Sequence, residues 1–201
     1  ERTRNQYYGE AYALRAYLHF DLLRAWGPVD YQADKAQLSI PYREVADNSK
    51  QPRLSAEAVV GKIKADIKRA EGFLAADKGV TLAGNDRRFR MNYYAVKALE
   101  ARVCCYAGDA DNAISAAEDV INHCGLSLQT TNSTDPALFS ETIFGINKYK
   151  MSDNISSYFA EGPDFTTQYW VSLSNYKRIF EAEGNERDAD FRARRGAGFY
   201  V

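Results

Sequence analysis

Apolar residues recur every three or four positions between residues 7 and 26, which is the period of an α-helix. Two apolar stripes run along this segment. One contains Tyr7, Ala11, Leu14, Leu18, Leu22 and Ala25, and the other contains Tyr8, Tyr12, Phe20 and Leu23. Because few positions remain for solvent, we predict a helix that is buried on more than one side. Gly27 and Pro28 should end it.

Residues 27–54 carry three prolines among polar residues and are predicted to form a long loop inserted between helices. Ser55 is a candidate N-cap for the helix that follows, with Glu57 in its first turn. The apolar stripe of this second helix is Val59, Ile63, Ile67, Ala70 and Leu74. We expect it to end near residues 77–79.

Two further helices are predicted around a tight turn. Asn92 can cap a helix that runs to about Ala107 and shows a face of small residues, Ala95, Ala98, Ala101 and Cys105. Gly108 suits the position after the helix end, where the backbone favours positive φ. Asp109 can cap the next helix, from Ala110 to about His123, whose stripe is Ala113, Ile114, Ala117, Val120 and Ile121.

The turn between these helices resembles that of a tetratricopeptide repeat, with Gly108 in the turn and the small Ala113 where the paired helices touch. One helical hairpin cannot bury its own apolar face, so such units stack. We therefore predict a mostly α fold of tetratricopeptide-like hairpins forming a right-handed superhelical scaffold with little β structure. This scaffold covers residues 1–125, with 27–54 as an insertion.

The pattern weakens after Gly125. Residues 141–146 alternate like a short strand, and residues 153–180 are rich in Ser, Asn and aromatic residues. We predict that residues 126–201 form an irregular aromatic-rich segment packed on the scaffold, within one incomplete domain of a longer protein.

The composition of the chain argues against several classes of function. The chain has 26 Lys and Arg against 27 Asp and Glu, a net charge of −1, which argues against nucleic-acid binding. The longest apolar run has five residues, 103–107, whereas a membrane helix needs about 20. The three cysteines do not form a disulfide framework, and with only His19 and His123 available we predict no metal site and no cofactor.

The first predicted helix also carries a family pattern. Residues 9–27 read GEAYALRAYLHFDLLRAWG, which resembles the signature helix of the SusD/RagB family of outer-membrane nutrient-binding lipoproteins of Bacteroidetes. Shorter matches follow at 40–42, 66–67, 90–103, 108–113 and 141–144. The resemblance covers residues 8–146 well and 185–192 loosely.

The resemblance implies a non-catalytic, cell-surface protein that binds a nutrient, usually an oligo- or polysaccharide. Its partner would be a SusC-like TonB-dependent transporter, and its membrane contact would be a lipid anchor outside this chain. Within the matched helix, Glu10, Arg15, Asp21 and Arg24 are interpreted as fold-specifying charges. Asp21 and Arg24 are spaced to pair on one helical face.

The ligand site is predicted from residue chemistry, because sugar recognition combines aromatic platforms with amide and carboxylate hydrogen bonds. The best candidates share one aromatic-rich stretch: Tyr158, Asp164, Gln168, Tyr169 and Trp170. The alternative interpretation is that these rings fill a core between the scaffold and the rest of the protein. The insertion 27–54, with Tyr31 and Tyr42, is a second candidate.

Two other function classes remain open. A tetratricopeptide scaffold that binds a peptide would show regular hairpins of about 34 residues, which the insertion interrupts. A glycoside hydrolase would need two carboxylates facing across a cleft, and Glu161 with Asp164 is a weak match.

Overall fold

A computed structural model describes residues 2–84, 86–128 and 139–146, together with 150, 174, 175 and 178. The helices with described bounds are α1 (Arg2–Trp26), α2 (Tyr31–Asp34), α3 (Ala56–Phe73), α4 (Tyr93–Tyr106) and α5 (Ala110–His123). Three short 3₁₀ turns lie at Ala75–Gly79, Asp86–Phe89 and Phe139–Glu141. The described residues contain no β-strand, only an isolated antiparallel bridge between Leu38 and Ser55.

The chain divides into two compact units. Residues 1–126 with 143–145 form one unit, and residues 127–142 with 146–201 form the other. Helices α1 to α5 belong to the first unit. In the second, the Thr142 N–H donates to the Phe139 carbonyl at 3.1 Å and closes a 3₁₀ turn. The predicted division of the chain at residue 125 stays a prediction.

Local capping rules place the helices of the first unit. The Ser55 hydroxyl accepts from the Ala58 N–H at 3.2 Å and caps α3, and the Asn92 side-chain oxygen accepts from the Ala95 N–H at 3.0 Å and caps α4. Gly108 has φ +73°, as predicted for the turn before α5. Asp109 occupies the N-cap position of α5 but makes no side-chain bond to its N–H groups. Its carboxylate instead accepts from Lys64 Nζ at 2.7 Å.

The helices pack in chain order into two hairpins. The long helix α1 contacts α3, α3 contacts α4, and α4 contacts α5. The predicted stripe of α3 is fully buried, which confirms it. The large residues at the centre of this core are Phe20, Leu23, Val59, Ile63, Ile67, Leu74, Leu82, Val96 and Val103.

The prediction that α1 is buried on more than one side was wrong. Its buried residues are Gly9, Glu10, Ala13, Ala16, Phe20 and Leu23. The predicted stripe from Tyr7 to Ala25 is exposed, with Leu18 at 56% and Leu22 at 41%. The small side chains of Ala13 and Ala16 face the neighbouring helices, because they allow closer packing than the leucines do.

The faces of α4 and α5 also differ from the expected ones. In α4 the buried row is Val96, Leu99 and Val103, while Cys105 of the predicted small-residue face is exposed. In α5 only Ala116 and Val120 are buried, and Ile114 and Ile121 are exposed. The predicted faces are thus buried only in part. Ala95 of α4 and Val120 of α5 are buried as predicted, and Ala98 and Ala113 are half-buried.

The predicted strand at residues 141–146 does not form. Glu141 ends a 3₁₀ turn, and residues 142–146 are irregular. The backbone of this segment bonds to side chains and turns rather than to a strand. The Ile143 carbonyl accepts from Asn92 Nδ2 at 2.9 Å, and the Gly145 N–H donates to the Arg88 carbonyl at 2.9 Å.

A close approach of α1 and α3 yields a test of this packing. A Cβ atom added at Gly9 would lie 2.5 Å from Leu74 Cγ and 3.1 Å from Phe73 Cβ. We expect Gly9→Ala to lower the free energy of unfolding by about 1–3 kcal/mol, because the helices must separate. Chemical denaturation followed by circular dichroism measures the change.

Gly61 supplies the matched control, since it also lies within a helix but has nothing within 4 Å of an added Cβ. Gly61→Ala should raise the free energy of unfolding by about 0.5–1 kcal/mol through helix propensity alone. Equal effects of the two substitutions would contradict the described packing of α1 on α3.

No helix in the part of the chain that the structure describes combines the length and the apolar character needed to cross a membrane.

Candidate functional site

The ligand residues predicted from sequence all lie outside the described residues. Tyr158, Asp164, Gln168, Tyr169 and Trp170 fall in the stretch 151–173, so their role stays a prediction. The structure describes instead the charged and aromatic side chains of the first unit. Among the described residues, no group of three or more His, Cys, Asp or Glu is placed to hold a metal ion.

Asp66 is the centre of one buried charge cluster, and only 2% of its surface is exposed. Arg15 of α1 donates to both carboxylate oxygens, with Nε at 2.6 Å and Nη2 at 2.8 Å. The Tyr42 hydroxyl donates to the same carboxylate at 2.7 Å, and Arg69 lies 3.5 Å from it. The hydrogen bond to Asp66 raises the pKa of Arg15. Burial of the Tyr42 hydroxyl, together with its own hydrogen bond to Asp66, raises the pKa of Tyr42. This cluster joins α1, α3 and the insertion.

The insertion 27–54 is held against α1 by His19. Its Nδ1 lies 2.8 Å from the Arg15 carbonyl, and its Nε2 accepts from the Arg43 N–H at 3.0 Å. The His19 ring also stacks on Tyr42, with the ring centroids 4.0 Å apart. Both tyrosines of the second predicted ligand site, Tyr31 and Tyr42, are buried. Neither ring is open for stacking on a sugar, so that hypothesis is corrected.

Glu10 belongs to a second buried cluster. Arg87 donates to Glu10 at 2.7 Å and to Asp77 at 2.6 Å, and all three side chains are at most one-tenth exposed. Arg90 adds two bonds to Glu10, at 3.0 and 2.5 Å. The cluster ties α1 to the turns before α4. Its carboxylates are occupied by guanidinium groups.

The remaining residues of the family pattern lie nearer the surface. Asp21 and Arg24 are 3.7 Å apart on the exposed side of α1. Ala113 is half-buried in α5. The open side of Gly108 faces the Gln32 side chain, which connects the turn to α2.

Three aromatic rings and one arginine lie together at one end of the α1–α3 pair. We call this cluster the aromatic seam, and it consists of Tyr8, Tyr12, Phe73 and Arg69. Phe73 contacts both tyrosines, with ring centroids 5.6 Å from Tyr8 and 5.9 Å from Tyr12. The Arg69 guanidinium lies 5.5 Å from the Tyr12 ring centroid. The sequence interpretation placed both tyrosines in a buried stripe and overlooked Phe73 and Arg69. The available signal was the i,i+4 spacing of each pair on its helix.

A comparison with known protein families finds a match that covers most of the first unit. The model of a SusD-like family, described as starch-binding and associating with the outer membrane, matches residues 1–104. SusD-like protein P38 of Formosa agariphila is 34% identical over 134 residues. That match covers 67% of this chain but 24% of P38, so the chain spans about a quarter of that relative.

Solved structures share the fold. A SusD superfamily protein of Bacteroides thetaiotaomicron is 26% identical with a TM-score of 0.55, over 67% of this chain and 28% of that protein. NanU of B. fragilis is 25% identical with a TM-score of 0.59, over 78% of this chain and 32% of NanU. The predicted mostly α architecture of tetratricopeptide-like hairpins is confirmed.

Proposed function

The chain belongs to the SusD-like family described as starch-binding and associating with the outer membrane, and on that premise we propose that it is a non-catalytic glycan-binding protein of the cell surface. Its proposed partner is a SusC-like TonB-dependent transporter, to which it delivers oligo- or polysaccharides, and its proposed contact with the membrane is a lipid anchor. The observation that carries the proposal is the family match to residues 1–104, which include α1, α3 and most of α4.

The chemistry of the first unit supports a binding role rather than a catalytic one. Its buried carboxylates Glu10, Asp66 and Asp77 each accept hydrogen bonds from an arginine. These three carboxylates are engaged in contacts that join helices and turns of the first unit. These groups therefore suit a rigid scaffold.

The exposed face of α1 supports a protein partner. Leu14, Leu18 and Leu22 form an aliphatic row on its surface, and Trp26 is 69% exposed at its end. A continuous apolar surface of this kind marks contact with other protein. This feature agrees with a unit that works within an assembly.

For the ligand we propose the aromatic-rich stretch that contains Tyr158, Asp164, Gln168, Tyr169 and Trp170. Rings of Tyr and Trp cover the apolar face of a sugar, and carboxylate and amide groups orient its hydroxyls. We expect Tyr169→Ala with Trp170→Ala to weaken polysaccharide binding by about tenfold or more, since two stacking contacts are lost. Affinity gel electrophoresis and calorimetry with a polysaccharide panel measure the effect.

Trp26→Ala is the control for this experiment, because it removes an exposed tryptophan outside the proposed ligand residues. It should leave glycan affinity unchanged. Release of sugar products by the wild type would favour a glycoside hydrolase. Affinity for a peptide and for no glycan would favour a tetratricopeptide-type interaction scaffold, and either result would overturn the proposed function.

A further inference from the structure

The aromatic seam has a geometry that its two helices dictate. Tyr8 and Tyr12 are four residues apart on α1, and Arg69 and Phe73 are four residues apart on α3, so each pair lies on one helical face. The α1–α3 pair is antiparallel, because Tyr8 meets Phe73 while Arg15 meets Asp66. The Tyr12 and Phe73 rings are nearly parallel, with planes 4° apart. The Tyr12 and Phe73 rings therefore stack on each other, and the Tyr8 ring contacts Phe73 beside them.

These rings are accessible from solvent. Tyr8 is 52% exposed and Phe73 is 36% exposed, whereas Tyr12 is half-buried. Within the described part of the chain, no hydrogen bond engages the hydroxyl of Tyr8 or Tyr12. Each hydroxyl is therefore available as both a donor and an acceptor.

The seam also carries positive charge. Arg15 occupies both oxygens of Asp66, so Arg69 reaches that carboxylate only at 3.5 Å. Two guanidinium groups share one carboxylate, which leaves a local excess of positive charge beside the rings. The Arg69 side chain is 54% exposed and keeps donors for another anion.

We propose that the aromatic seam is a subsite for an acidic sugar unit of a polysaccharide, a proposal that rests on the glycan-binding function above. The apolar face of the sugar stacks on Tyr8 and Phe73, and its carboxylate pairs with the Arg69 guanidinium. A planar guanidinium matches a carboxylate with two parallel hydrogen bonds. The free tyrosine hydroxyls bond to sugar hydroxyls.

The composition of the seam favours a sugar over a protein partner. The aliphatic row Leu14, Leu18 and Leu22 lies about a quarter-turn away around α1 and has no charged or aromatic member. Rings next to an exposed cation instead match a ligand that combines C–H faces with negative charge. The two surfaces of α1 thus serve different kinds of partner.

The test compares polygalacturonate, whose units carry carboxylates, with neutral amylose, using affinity gel electrophoresis and calorimetry. We expect Tyr8→Ala to weaken binding of polygalacturonate about tenfold, and Phe73→Leu, which keeps apolar volume but removes the ring, to do the same. Arg69→Gln should weaken polygalacturonate about tenfold and leave amylose unchanged. Added salt should reduce the effect of Arg69→Gln.

Two control variants remove the same types of side chain at positions outside the aromatic seam. Tyr7→Ala removes an α1 tyrosine that is 57% exposed and has Arg90 over its ring, but has no ring partner in the described structure. Arg24→Gln removes a similarly exposed arginine, 3.7 Å from Asp21. Neither should change the affinity for polygalacturonate. Unchanged circular dichroism and melting temperature verify the fold of every variant.

The possible failures are distinguishable. If the wild type binds glycans and the Tyr8, Phe73 and Arg69 variants bind them equally well, the seam is not a subsite and the proposed function stands. If the Tyr8 variant loses both glycans equally and Arg69→Gln changes neither, the assignment to an acidic sugar is overturned. If the wild type binds no glycan, the proposed function fails and this inference fails with it.

Discussion

Replacing Asp66 with alanine should lower the free energy of unfolding by about 3 kcal/mol, because the donors that surround this buried carboxylate lose their acceptor. Arg15 loses two charge-assisted bonds of 2.6 and 2.8 Å, and the buried Tyr42 hydroxyl loses its acceptor at 2.7 Å. Urea unfolding followed by circular dichroism measures the loss.

Asp21→Ala is the control for that prediction. Asp21 also pairs with an arginine of α1, but the pair is 3.7 Å apart and both side chains are more than two-fifths exposed. Water already solvates these charges, so the expected change is below about 1 kcal/mol. A loss at Asp66 no larger than at Asp21 would show that the cluster does not hold α1 to α3.

The Arg87→Met variant should lose about 3–5 kcal/mol of unfolding free energy, since it leaves two buried carboxylates short of their shared cation. Arg87 reaches Glu10 at 2.7 Å and Asp77 at 2.6 Å. Arg90 still pairs with Glu10, so Asp77 suffers most. Methionine keeps an unbranched side chain of similar volume without the charge, and the loss therefore reports charge more than packing. The same unfolding experiment measures it.

Arg53→Met serves as the comparison for Arg87→Met. Arg53 is exposed, and the described part of the chain contains no ion pair to it. Its replacement should change the unfolding free energy by less than about 0.5 kcal/mol. If both variants unfold at the wild-type urea concentration, the Glu10 cluster makes no net contribution to stability.

Local signals in the sequence were reliable because they act within one turn of chain. Ser55 and Asn92 accept bonds from N–H groups three residues later, and Gly108 adopts the positive φ of a helix end. None of these features needs a distant partner. The starts of α3, α4 and α5 were therefore predictable to the residue.

Features that depend on contact with distant segments could not be predicted reliably from the sequence. Both apolar stripes of α1 have the helical period, so periodicity does not say which one faces α3. The structure buries Ala13, Ala16, Phe20 and Leu23 and leaves the leucine row exposed. The alternation at residues 141–146 likewise lacked a neighbouring strand, and its backbone bonds to Asn92 and Arg88 instead.

The sequence by itself determined the starts of α3, α4 and α5, the side-chain caps at Ser55 and Asn92, the turn at Gly108 and the family pattern of α1, because each depends on residues within a few positions. It did not predict the short helix α2, which lies within the segment 27–54 that was predicted to be a loop. Only the tertiary structure decided the partners of Glu10 and Arg15, which lie 77 and 51 residues along the chain at Arg87 and Asp66. It also brought Tyr8 of α1 beside Phe73 of α3. Burial and ion pairing are properties of packed surfaces, and one chain segment does not specify which other segment will cover it.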